Sequence, residues 1–299
     1  MKRFLFLIII SLVINIAQNY PAQAGFIADK KAQIEQSKVE KNYKKEIIEL
    51  FNKQDRYAKK YDLKNLKTLY SQNFTDNDGY NKDVYFSLVK ETWETYPDIT
   101  YETKIKKITI NGDFATVETS ESAIATTDDI DRAIVGELHS KSNCIYHLQR
   151  FSNKWEFTSE QVIDETSTLK YGEARFIDMN LEAPKLIGAG QDYTVTLNID
   201  LPENFVAIAS INQEKIVNPA QKPEESFKRV SDNNTLARMF TANTDNINEY
   251  SVASIGITSV NSGDDGKIHV YMNGLAFVMT RINVIPKNNF AKVGEKTNE

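Results

Sequence analysis

The sequence predicts an α+β domain followed by an all-β sandwich, and three observations predict it. Apolar residues recur at helical spacing from Tyr43 to Tyr96, change to a spacing of two after Pro97, and keep that spacing as far as Ile285. Short polar turns separate the alternating runs. A chain of 299 residues also exceeds the usual single domain, so two units of about 100–150 residues each are expected.

The first residues belong to neither domain. Lys2 and Arg3 precede an apolar run, Phe4 to Ala17, broken only by Ser11 and Asn15, and the stretch closes on Ala22-Gln23-Ala24. This order marks a secretory signal over residues 1–24, cleaved after Ala24. The run of about 14 apolar residues is shorter than the roughly 20 that cross a bilayer, so no integral membrane segment is expected after cleavage. Gly25 follows where a lipid-bearing cysteine would have to stand. The mature chain is therefore expected to be exported, in the periplasm or outside the cell, with residues 25–39 as a linker.

Composition narrows the partners. Cys144 is the single cysteine, so an internal disulfide is impossible and stability must come from packed cores. Asp29 to Tyr70 holds twelve basic and seven acidic residues, whereas the chain from Ser71 onward is strongly acidic. Lysines interleaved with glutamates predict a solvated helix face. A mature chain of net negative charge does not suit nucleic acid.

Tyr43, Ile47, Leu50, Phe51, Tyr57, Ala58 and Tyr61 fall on one face of a first helix. Asp62 is placed to cap a second, short helix bearing Leu63, Leu66 and Leu69, and the polar turn Thr75 to Asn81 follows. A third helical pattern, from Val84 through Trp93 to Tyr96, stops at Pro97, which has no N–H to donate. Four strands are then expected: Thr100 to Ile110, Phe114 to Ala125, Leu138 to Phe151 and Trp155 to Ile163. Turns fall at Asn111-Gly112-Asp113 and Ser152-Asn153-Lys154, and an acidic connection at Thr126 to Gly136.

Near Tyr171-Gly172 the pattern restarts as strand alone. Tyr193, Val195, Leu197, Ile199 and Leu201 alternate with Thr194, Thr196, Asn198 and Asp200, burying one face and wetting the other. About seven such strands predict a sandwich over residues 171–286, and the polar residues 287–299 form a disordered tail.

The stretches YAKKYDLKNLKTLYSQNF, ITINGDFATVETSESAI and HLQRFSNKWEFTSE, in an order of three helices then a four-stranded meander, resemble the nuclear transport factor 2-like superfamily, which includes ketosteroid isomerase and polyketide-cyclase-like (SnoaL-like) proteins. The resemblance spans residues 40–170. It implies a cone-like fold whose curved antiparallel sheet wraps a pocket beneath the helices, and homodimerisation through the outer sheet face. The half after Tyr171 resembles an immunoglobulin-like sandwich in strand count and patterning.

Within the ketosteroid isomerase branch the resemblance implies a carboxylate base and two carbonyl-polarising acids. Counting along the chain puts the base at Asp78 and one acid at His147, while Gln54 stands where the other acid, a tyrosine, should be. Asp78 lies in a turn whose Asp, Asn and Gly content favours exposure, and Gln54 is a poor proton donor.

Ala115, Val117, Thr119, Glu121 and Ala123 share one strand face whose small residues leave space beneath the helices. Glu121 is a candidate polar handle there, with Tyr57, Tyr61, Trp93 and Tyr146 as candidate ligand-binding walls. No metal or cofactor site is expected. His139 and His147 lie eight residues apart on one strand, about 26 Å at roughly 3.3 Å per residue. The run from Asp76 to Asn81 has its glycine two places early for a calcium loop. Nucleophile elbows, phosphate-binding glycine loops and His-Glu-x-x-His helices are absent.

The expected function is therefore an exported, non-catalytic binding or assembly protein, with a protein, a glycan or a small apolar ligand as partner. The alternative is a small-molecule isomerase or dehydratase with Asp78 as general base.

Overall fold

The computed structural model describes residues 30, 34–127, 135–203, 205–220, 225–231, 233–262 and 268–287, of which 260–262 and 268–269 by backbone alone. The predicted signal, the middle of the acidic connection, most of the loop Asn261 to Gly266 and the tail beyond Lys287 lie outside these residues. Residues 34–39, within the expected linker, are helical. The chain divides into two units at Leu50.

In the first unit, residues 34–50 are helical, and Lys44 pairs with Glu40 one turn back at 3.2 Å. Such an exposed pair contributes a few tenths of a kcal/mol, ~0.3–0.5.

The second unit opens with helical residues 51–58 (α1). Helix α1 ends earlier than its apolar spacing predicts: Tyr61 takes a left-handed backbone (φ 53°) in the turn beyond it. Asp62 then caps α2 (Leu63–Lys67) by accepting from the Asn65 N–H at 3.1 Å. Next comes β1 (Tyr70–Asp76), a strand the sequence did not predict, whose last two residues overlap the expected turn. Its alternation is poor because it pairs parallel with another strand at only a few positions. Asn81 caps α3 (Lys82–Thr95), accepting from the Asp83 and Val84 N–H groups at 3.1 Å. The helix stops before Pro97, as expected.

Four long strands form the meander: β2 (Thr100–Asn111), β3 (Phe114–Thr126), β4 (Gly136–Phe151) and β5 (Lys154–Gly172). Two-residue turns join β2 to β3 and β4 to β5. In the second, Ser152 (φ 45°) and Asn153 (φ 67°) both take positive φ, the mirror-image turn that matches strand twist.

Strand β5 does not end at Ile163. It continues to Gly172, and its far edge is shared: β1 pairs near Phe157 to Glu160, and β13 (Ile268–Ile285) pairs with Thr166 to Gly172. The sheet therefore runs without a break at the predicted boundary near Tyr171. After a 3-10 turn at Glu173–Phe176 come β6 (Met179–Glu182), β7 (Leu186–Gly188), β8 (Asp192–Ile199), β9 (Phe205–Lys215), β10 (Lys228–Arg229), β11 (Thr235–Thr241) and β12 (Glu249–Ser262). The large sheet has the order β10-β9-β12-β13-β5-β4-β3-β2, and a smaller one the order β11-β8-β6.

Tyr193, Val195, Leu197 and Ile199 of β8 are buried on the face their alternation predicts. They join one apolar cluster with Ala209 and Ile211 of β9, Ile255 and Ile257 of β12 and Ile282 of β13. Fully burying each such aliphatic side chain contributes about 1.5–3 kcal/mol.

Candidate functional site

A cavity of about 130 Å³ lies between the helices and the meander. Helix α1 supplies Gln54, Asp55 and Ala58, and α3 supplies Tyr85, Val89 and Trp93, whose i, i+4, i+8 spacing puts them on one face. Tyr70 of β1, Tyr101 and Thr103 of β2, Glu121 of β3 and Tyr146 of β4 complete the wall. The hydroxyls and amides are tied down: Gln54 Nε2 donates to Tyr70 Oη at 2.8 Å, and Trp93 Nε1 donates to Tyr101 Oη at 3.1 Å.

Glu121 of the cavity wall stands beside a second carboxyl, the buried Glu160 of β5. Thr119 Oγ1 donates to Glu121 Oε1 at 2.9 Å, and Tyr146 Oη donates to Glu160 Oε1 at 3.3 Å. Glu160 is only 8% exposed, and its Oε2 has no hydrogen-bond partner among the described residues. Burial, and then the charge of Glu121, raise the Glu160 carboxyl to about 8. Burial raises Glu121 as well, against the hydrogen bond from Thr119. The two carboxyls are close enough for ionisation of one to oppose ionisation of the other. Cys144 completes the group: donor atoms of Glu121, Cys144 and Glu160 lie within 4.8 Å of one another. Burial pushes the Cys144 thiol far above its ordinary value, so it is a neutral S–H there.

The sequence reading missed Glu160 because of a bulge. Trp155 and Phe157 face inward, so strict alternation would turn Ser159 inward and Glu160 outward. The pairing Leu148–Phe157 is followed by His147–Ser159, leaving Thr158 as an extra residue. Alternation changes phase there, and Glu160 comes to lie opposite Tyr146 on the buried side. The extra Thr158 donates its hydroxyl to the His147 carbonyl at 2.9 Å.

Of the residues expected to bind a ligand, Trp93, Glu121 and Tyr146 line the cavity. Tyr57 and Tyr61 do not. Tyr57 is half-buried, with the Arg56 guanidinium 5.6 Å from its ring centroid. Tyr61 donates to the Ile99 carbonyl at 3.0 Å and meets Trp93 edge-on from outside the cavity wall.

Asp78 and His147 do not converge. His147 is exposed on the outer face of β4, with Nδ1 3.5 Å from Thr116 Oγ1, because Tyr146 and Leu148 take the inner positions. Asp78, expected to be exposed, is instead buried against Arg281 of β13. Arg281 Nη1 donates to Asp78 Oδ2 at 3.0 Å, and Nη2 donates to Oδ1, with side-chain exposures of 1% and 9%. Asn248 Nδ2 donates to Asp78 Oδ1 at 2.8 Å, and Asn77 Oδ1 accepts from the Val162 N–H at 3.1 Å. A guanidinium this deep requires its counter-ion, so Asp78 is committed to holding the Asp76–Tyr80 turn against the sheet.

No family model and no curated protein matches the chain. Among solved structures, the chain is similar to Bd1075 of Bdellovibrio bacteriovorus at 13% identity and TM-score 0.33, over 40% of this chain and 39% of that one. It is similar to a nuclear transport factor 2-like superfamily protein of Salmonella enterica serovar Typhimurium at 16% identity and TM-score 0.34, over 41% and 90%. A type-3 hexachlorocyclohexane dehydrochlorinase of Novosphingobium barchaimii matches at 12% identity and TM-score 0.35, over 40% and 85%. The chain thus spans about two fifths of the length of the Bdellovibrio protein. Likenesses at this level assign no activity.

Proposed function

We propose that the protein is an exported binding protein in which a nuclear transport factor 2-like part, closing with β5, holds a small ligand in the cavity under α1 and α3. The β-rich remainder, read as a sandwich, then supplies a contact surface. The observation that carries this reading is the cavity itself: aromatic walls around a few fixed polar groups are the usual build of a small-molecule site. The chemical groups expected of a ketosteroid isomerase-like centre are not gathered there, since Asp78 serves Arg281 and His147 faces solvent.

A fragment screen by saturation-transfer NMR on the purified chain tests it, with Val89→Phe as the control that fills the cavity. Fragments bound by the wild type should be lost in the filled variant. If every bound fragment survives Val89→Phe, the cavity is not the binding site.

One observation favours a second, catalytic reading. A pair of carboxyls with raised proton affinities beside a cavity is how acid–base partners are arranged. Under that reading the base is Glu121 rather than Asp78, and the reaction is isomerisation or dehydration of a small carbonyl compound. Turnover abolished by Glu121→Gln and retained in Asp78→Asn would support it; turnover unchanged in Glu121→Gln would exclude it.

The outer sheet face, where Phe114 is 58% exposed, supports homodimerisation as a further proposal. A concentration-independent monomer mass in sedimentation would remove it.

A further inference from the structure

Resting on the binding reading, the geometry points to a small primary alkylammonium as the class of ligand the cavity takes. Among the described residues the lining contains two carboxyl side chains, Asp55 and Glu121, and no lysine, arginine or histidine. A third carboxyl, Glu160, stands directly behind Tyr146. Lys59, one turn beyond Asp55, occupies Asp55 Oδ2 alone, at 2.7 Å. Asp55 Oδ1 is out of solvent with no hydrogen-bond partner among the described residues. It is an acceptor without a donor in the cavity wall, and a ligand N–H would satisfy it.

The rest of the wall suits the same guest. Tyr70, Tyr85, Trp93, Tyr101 and Tyr146 border the space, and aromatic faces attract ammonium groups. A primary ammonium brings three N–H donors and a positive charge, whereas a quaternary one brings no donor. A neutral alcohol brings one donor and no charge. An anion would meet two carboxyls without a single cation in the lining.

Calorimetric titration of the full chain at about pH 8 with n-butylammonium chloride, and separately with butan-1-ol as its neutral counterpart, tests the inference. The ammonium should bind at least about tenfold more tightly than the alcohol. Glu121→Gln should remove that preference, bringing the two affinities together. If Glu121→Gln does not fold, Asp55→Asn must lower ammonium affinity in the same way. Alcohol binding as tight as ammonium binding, in a manner lost in Val89→Phe, would overturn the ligand class and leave the cavity reading standing. Binding of neither, together with no cavity-dependent fragment, would overturn both.

Discussion

The Tyr146 hydroxyl donates to Glu160 Oε1 at 3.3 Å across the β4–β5 pair, and the carboxyl it meets is more than nine-tenths buried. Burial and the neighbouring Glu121 hold the Glu160 proton far more firmly in the folded chain than in the unfolded one. The folded state therefore keeps a proton that the unfolded state releases above its ordinary value of 4.5. Stability from this site is greatest below pH 4.5, falls as the pH rises to about 8, and then levels off. Glu160→Gln removes that dependence. In urea titrations the variant should gain on the wild type by at least about 1 kcal/mol between pH 5 and pH 8. A gap that stays constant over that window would contradict the buried-acid assignment.

Arg281 and Asp78 make a different kind of contact, a buried ion pair that joins the turn after β1 to strand β13. Removing one partner leaves the other charge stranded. Asp78→Ala should destabilise the chain by about 3–5 kcal/mol, and the double variant Asp78→Leu with Arg281→Met should recover much of that loss. Additive effects in the double variant, measured by chemical unfolding, would mean that the two groups act independently.

Gly172 ends β5 where β13 crosses to pair with it. Its φ is +57°, and a Cβ there would meet the Asn273 carbonyl oxygen at 2.3 Å. Gly172→Ala should lower stability by more than about 1 kcal/mol, because both the backbone and the neighbour must yield. Gly112→Ala is the comparison: it shares a positive φ of +59° but has nothing within 4 Å of the added carbon. A cost no greater at Gly172 than at Gly112 would show that the crossing is loosely packed.

Cys144 is buried, and both its burial and the nearby Glu160 oppose the thiolate. The native protein should react with a disulfide reagent at pH 8 at a rate set by unfolding, and at ordinary thiol rates in urea. Fast reaction in the folded state would place the thiol outside the core.

Legibility from sequence followed the regularity of the backbone. The β2–β3 hairpin keeps its alternation from Ala115 to Glu121, so the inward position of Glu121 could be read directly. Glu160 could not, because Thr158 shifts the phase of β5 two residues before it. Asp78 sits in a turn whose composition signals exposure, while the arginine that buries it lies 203 residues further along the chain. Strand β5 was cut short at Ile163 because Asp164 to Lys170 is polar and non-alternating, and its order comes from pairing on both edges. The helix caps at Asp62 and Asn81 and the stop before Pro97 are local chemistry. The first cap and the stop were correspondingly legible.

A carboxyl kept neutral beside the helix-covered cavity is the central feature of the site. Carbon-13 NMR of glutamate side-chain carboxyls, followed from pH 3 to pH 10 in the wild type and in Glu160→Gln, measures this directly. One resonance should titrate near pH 8 and vanish in the variant. Glutamate carboxyls that all titrate below about pH 5, with none removed from the upper range by Glu160→Gln, would contradict it.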